Sequence, residues 1–145
     1  MSNININNMT FKHVSYLWDD AKAAALAGDE VLMENAKYLF WALMASARGY
    51  YRRDLMLVSK NYMCGQWSWD HCFAAMAFSF SHPKLAWDEF MCMFDEQKEN
   101  GKIADCIKAD SIIWGYVKPP IHGLTLLFMK KNMVLNKKQK IEAYQ

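Results

Sequence analysis

Apolar side chains recur at helical spacing along most of this chain, and turn residues separate the runs. Over residues 13–27, Val14, Leu17, Trp18, Ala21 and Ala25 are interleaved with charges until Gly28-Asp29, which predicts an amphipathic helix and its stop. A second helix is predicted from Glu30 to Ala47, where Leu32, Ala36, Leu39, Phe40, Leu43 and Ala47 form one apolar face. Gly28 then becomes the bend of a helical hairpin, and Gly49 closes the second helix. From Tyr50 to Tyr62 the period is lost, and Leu55-Met56-Leu57-Val58 fits a short strand or a helical turn equally well.

Phe73, Met76, Ala77 and Phe80 predict a helix over Asp70–Phe80. Pro83 restarts the chain at a first-turn position where its missing N–H costs nothing. Leu85, Ala86, Phe90, Met93, Phe94 and Gln97 continue the period until Asn100-Gly101 stops it. Residues 102–119 read as a long loop, and long ordered loops are commonly functional. Pro119-Pro120 ends that loop, and Ile121 to Met129 reads as the next helix. With no convincing strand alternation, these helices predict an all-α protein built from helical hairpins.

Composition narrows the picture. The 145 residues are 53% apolar and 22% charged, enough for one domain with a real core. A net charge of +2 gives no charge-driven reason to bind nucleic acid. The longest apolar stretch, Tyr38 to Ala47, is too short to span a bilayer, so no membrane partner is expected. Met1 to Thr10 is Asn-rich and polar rather than a basic segment followed by an apolar run, so the chain reads as cytoplasmic. The basic stretch Lys130, Lys131, Lys137, Lys138 and Lys140 reads as a solvated helix face.

Cys64, Cys72, Cys92 and Cys106 contain no C-x-x-C pair and read as reduced thiols. A zinc site from His71, Cys72 and His82 is disfavoured, because adjacent residues on a helix point about 100° apart. Plain packing is the expectation, with no metal and no cofactor.

Trp-Asp occurs at 18–19, 69–70 and 87–88. A propeller would repeat it every 40–45 residues or so among short strands, and these intervals are irregular. Trp18 and Trp87 therefore read as core or helix-interface residues. Trp69-Asp70 differs, because it opens a helix after Gly65-Gln66-Trp67-Ser68. As an N-cap, Asp70 would stabilise the helix by roughly 0.5–2 kcal/mol and need no other role. That account leaves Trp67 and the Trp-x-Trp spacing unexplained. Indole faces beside a fixed carboxylate also suit a sugar, whose apolar C–H face stacks while the carboxylate accepts from its hydroxyls. Both readings remain open on the residues alone.

A family resemblance bears on that choice. Gln66-Trp67-Ser68-Trp69-Asp70-His71-Cys72-Phe73 resembles the signature early in the catalytic domain of glycoside hydrolase family 63. In the same order, His82-Pro83-Lys84-Leu85-Ala86, Phe94-Asp95-Glu96-Gln97, Asn100-Gly101-Lys102-Ile103-Ala104-Asp105 and Lys118-Pro119-Pro120-Ile121-His122-Gly123 resemble later family motifs. The resemblance covers residues 60–128 or so, leaving 130–145 as an unmatched basic tail. Met63, Ala104 and Leu124 depart from the family's usual residues.

The resemblance implies a partial (α/α)6 toroid and a glucoside-like carbohydrate substrate. Trp67, Trp69, Asp70, Gln66, Lys118 and His122 would then line the sugar site. The family's catalytic acid lies in a later Asp-Asn-Ser motif and its base far toward the C-terminus; neither motif occurs here, so no catalytic residue is assigned. Twelve helices with their connections need about 200 residues. Residues 1–145 therefore read as a single incomplete domain, the N-terminal fragment of an inverting α-glucosidase-like enzyme, inactive alone and prone to self-association through uncovered faces. A non-catalytic carbohydrate-binding module and a helical scaffold are the alternatives.

Overall fold

The computed structural model describes residues 30–143 except 60 and 117. The helix expected over 13–27, its bend at Gly28 and Trp18 lie outside the described residues. Helix α1 spans Glu30–Leu43, and strand β1, Met44–Ala45, pairs antiparallel with β2, Leu55–Met56. Strand β3, Gln66–Trp67, leads into helix α2, Asp70–Phe78, and then α3, Pro83–Met91. A 3-10 turn at Phe94–Glu96 precedes β4, Cys106–Ile107, and β5, Ile112–Ile113. Helix α4, His122–Asn132, and the short α5, Lys137–Glu142, complete the described chain.

The fold is therefore mixed α/β. Two small antiparallel sheets, β1-β2 and β3-β4-β5, accompany the helices, and this overturns the expected all-α class with its partial (α/α)6 toroid of hairpins. The predicted helix through Ala47 stops at Leu43 because Met44 and Ala45 pair with Met56 and Leu55. That pairing also decides the ambiguous Leu55-Met56 segment as strand. The predicted loop over 102–119 contains the β4-β5 hairpin, which extends across to Gln66 and Trp67.

Elsewhere the helical period holds. Pro83 occupies the first turn of α3, and Asn136 and Gln139 form a reciprocal capping box at α5. The basic residues from Lys130 to Lys140 are exposed, as a solvated face requires. Among the described residues no helix is long and apolar enough to cross a membrane.

Two apolar clusters hold these elements together. Phe78, Ala86, Trp87, Phe90 and Met129 join α2, α3 and α4, and Trp87 is the core residue its helix position predicts. Leu55, Met93, Ala104 and Ile107 tie the sheets to the end of α3. Across the surface, Arg53 grips Asp95 with two bonds of 2.6 Å, and Arg52 Nε bonds Glu96 at 2.6 Å.

A carboxyl group sits inside this core. Glu89 is fully buried, accepts from the Met56 amide at 2.8 Å and accepts from Gln66 Nε2. Burial pushes its pKa up from 4.5 to about 8, against those two bonds. The folded chain thus holds a proton that the unfolded chain releases near pH 4.5, and this stability is lost as pH rises through 8. Neutral, buried His71 acts in the opposite sense, but only below pH 6.5. Between pH 6.5 and 8 stability is expected to fall, by an amount on the order of 2 kcal/mol, read from urea melts in metal-free buffer. Glu89→Gln should flatten that slope; an unchanged slope would assign it to another group.

Candidate functional site

The aromatic turn is built where β3 hands over to α2. Gln66 and Trp67 pair with Ile107 and Cys106, and the Ser68 amide donates to the Asp105 carbonyl at 2.9 Å. Gly65 lies so close to Cys106 Sγ that a Cβ there would collide with it, so glycine lets β3 approach β4. The N-cap of α2 is Trp69, with no side-chain capping bond. Asp70 is the first helical residue rather than the cap, and its carboxylate lies in the first turn, where the helix dipole favours negative charge.

Four of the expected site residues gather around this turn. Trp67 is half-buried, with its indole N–H donating to the Met63 carbonyl at 3.4 Å. Lys118 Nζ stands 5.1 Å from the centroid of the Trp67 ring, within cation–π range. Trp69 is 36% exposed and packs edge-on against Phe73, ring centroids 5.9 Å apart. Burial raises the pKa of Asp70, opposed by its own backbone amide and by Lys118.

A fifth residue joins them. Asp105 is 1% exposed, and Lys118 Nζ lies 3.3 Å from its Oδ1. Neither carboxylate oxygen accepts an aligned hydrogen bond among the described residues. The pair is thus an ion contact with acceptor capacity left over. In the sequence Asp105 stands out only as the end of a family-like motif and has no visible partner, because the segment carrying Lys118 meets it only through the fold.

Gln66 and His122 are placed differently. The Gln66 side chain is fully buried and donates to Glu89, away from the indoles. Glu89 was missed from sequence, although a signal existed: it lies on the helix face shared with Leu85, Ala86 and Met93. His122 opens α4 beneath the turn, its ring 5.0 Å from that of His71 and 5.3 Å from that of Phe94. Cys72 completes a group whose ligand atoms all lie within 4.8 Å of one another. Burial lowers the His71 pKa to about 3 and lowers that of His122, so both rings are neutral at pH 7. Burial also pushes the Cys72 thiol up to about 11.

His82, weighed as a third ligand from sequence, instead precedes α3 and contacts Ser81 Oγ at 3.0 Å. The objection that His71 and Cys72 diverge on a helix does not hold. The His71 ring turns back to the Trp67 carbonyl, which brings its other nitrogen to 3.6 Å from Cys72 Sγ.

A separate open cavity of about 370 Å³ is lined by Arg52, Arg53, Lys84, Asp88 and Asp95. Its charges have partners: Arg53 with Asp95 and Asp88, Lys84 with Asp88, Arg52 with Glu96, while Asp54, also in the lining, accepts from the Ala47 amide. It is a polar seam rather than a set of convergent, unmatched groups.

The turn therefore presents two indoles, a cation and a carboxylate, with a second carboxylate behind the cation. Such groups can stack on a sugar ring and bond its hydroxyls. A family model described as the mannosylglycerate hydrolase MGH1-like glycoside hydrolase domain matches residues 63–136, a span containing the whole turn, Asp105, Lys118 and His122. No curated protein and no solved structure matches the chain significantly.

Proposed function

Because the chain belongs to the mannosylglycerate hydrolase MGH1-like glycoside hydrolase family, we propose that it supplies the sugar-binding wall of an inverting, α-glucosidase-like enzyme. Its substrate class is carbohydrate. The observation that carries the reading is the aromatic turn itself: Lys118 over the Trp67 ring, with Asp70 at the start of α2 beside it.

Trp67 and Trp69 are the stacking surfaces, Asp70 is the acceptor for vicinal hydroxyls, and Lys118 is the donor. Asp105 holds Lys118 in place through its buried carboxylate. In this reading Gln66 acts from behind, by fixing β3 through Glu89, and His122 supports the turn from below.

An inverting glycosidase needs an acid and a base separated by room for water, about 6.5–9.5 Å. Neither family motif for that pair occurs in the sequence, and Asp105 is already committed to Lys118. In this reading no catalytic acid–base pair is assigned among residues 1–145. The same turn supports a second reading, a binding module that holds a sugar without cleaving it.

The test is an assay of the purified chain. With nitrophenyl glucosides, mannosylglycerate and glucosylglycerate, hydrolysis should stay at the blank rate. Turnover that copurifies with the chain and disappears in Asp105→Asn would overturn the inactive reading. Calorimetric titration with the same sugars separates the two readings, since tight binding by the isolated chain favours the module. Exposed Phe73, Phe80, Leu124 and Leu127 favour self-association, so gel filtration of this preparation is expected to show oligomers; a compact monomer would count against that expectation.

A further inference from the structure

Beneath the aromatic turn, His71 and Cys72 are the second and third residues of α2, and His122 is the first residue of α4. Their ligand atoms lie within 4.8 Å of one another. A tetrahedral zinc ion, with Zn–S about 2.3 Å and Zn–N about 2.0 Å, holds its ligand atoms about 3.3–3.6 Å apart. The edge from His71 Nε2 to Cys72 Sγ is already 3.6 Å. Small side-chain rotations of about an ångström would bring the remaining edges to that length.

The ring orientations suit the same purpose. His71 Nδ1 lies 3.0 Å from the Trp67 carbonyl. Donation there places the lone pair on Nε2, facing Cys72. His122 Nε2 is buried without a hydrogen-bond partner among the described residues, while the Ser68 backbone bonds its ring. Histidines that bind metals commonly anchor their other ring nitrogen on a backbone carbonyl in this way. Thr125, fully buried on α4, donates its hydroxyl to the Ile121 carbonyl at 3.1 Å and so steadies the first turn that carries His122. The arrangement thus has both the ligands and the groups that orient them.

The geometry points to a transition-metal site formed by His71, Cys72 and His122, with zinc as its ion. Two imidazoles and a thiolate suit zinc and exclude the hard cations magnesium and calcium, which take oxygen ligands. Binding releases the Cys72 proton to solvent and forms one Zn–S and two Zn–N bonds, leaving the fourth position for water. The ion clamps the start of α2 to the start of α4. It thereby fixes the Trp67–Asp70 turn against the segment that carries Lys118. The site stands independently of the sugar reading.

The test uses the full chain, stripped with a chelator and titrated with cobalt(II) as a spectroscopic stand-in. The expected result is one cobalt per chain, with a thiolate-to-cobalt charge-transfer band and the strong visible absorption of four-coordinate cobalt, both abolished by zinc. Zinc should also raise the melting temperature. His122→Ala, at a half-buried helix start, should weaken cobalt binding by about 100-fold or more, since even outer groups at such sites are worth 10–100-fold. Cys72→Ser should remove the charge-transfer band, and His82→Ala should change neither readout. If Cys72→Ser does not fold, His122→Ala alone decides. Octahedral cobalt without a charge-transfer band, or a band lost in Cys64→Ser and retained in Cys72→Ser, would overturn the site.

Discussion

Asp70→Asn is expected to lower glycoside turnover by about two to four orders of magnitude, with an unchanged melting curve, once the chain is joined to a downstream segment supplying acid and base. An amide has the size of the carboxylate but cannot accept charged hydrogen bonds from two sugar hydroxyls. Each such bond is worth roughly 1.5–3 kcal/mol, and losing two that strengthen in the transition state gives that range of rates. The position makes the substitution informative. Asp70 is the first residue of α2, inside the cap residue Trp69, and its carboxylate faces its own backbone amide, so a helix-start role alone predicts a small effect on stability and none on rate. Trp69→Phe should be milder, because a smaller ring still offers a face. Near-wild-type turnover in Asp70→Asn would return the residue to its helix-start role and remove the sugar-site assignment with it.

Gly49→Ala should destabilise the chain by roughly 3 kcal/mol or more. Gly49 has φ +56°, and an added Cβ would lie well inside contact distance of the Ala109 carbonyl oxygen. The left-handed backbone alone costs an L-residue about 1–2 kcal/mol. Relieving the collision means moving the turn away from Ala109, which breaks the 3.0 Å bond from the Tyr50 amide to that same carbonyl, for about 0.5–1.5 kcal/mol more. Neighbouring Tyr51 and partly buried Ala109 belong to the apolar cluster of the sheets, so some packing is lost as well. A midpoint of thermal unfolding lowered by about 10 °C is expected. A shift of only a degree or two would mean that the turn relaxes without leaving Ala109. Gly101, also at positive φ, has open space around its Cβ direction, so its alanine variant isolates the backbone cost from the collision.

The helices were legible because each carries its own signal. Pro83 at the first turn of α3 and the apolar spacing through Phe90 can be read within one turn of chain. The strands were not, since each is two residues long and has no period to read. Met44-Ala45 continues the apolar face of α1 until Leu55-Met56 captures it, and only the distant partner reveals that. The site divides the same way. Trp67, Trp69 and Asp70 are near neighbours in sequence and were found together. The link from Lys118 to Asp105 joins a loop to the end of a hairpin strand, and the approach of His122 to His71 depends on how α4 packs on α2. His82 drew attention over His122 because it is closer in sequence to Cys72, whereas proximity in the fold follows the packing.

The pairing of β3 with β4 has a consequence for the order in which the molecule assembles. Gln66 meets Ile107 across about 40 positions of chain, and the Tyr50 amide meets the Ala109 carbonyl across about 60. Contacts this distant incur loop-closure entropy before any of them stabilises the product, so they form late and slowly. While the chain emerges from the ribosome, α2 and α3 can already pack on each other. Trp67 has no strand to lie against until residues 105–113 follow. The indole turn is thus among the last parts to form, and its fluorescence should report the slowest step of refolding, after most of the helical signal has returned.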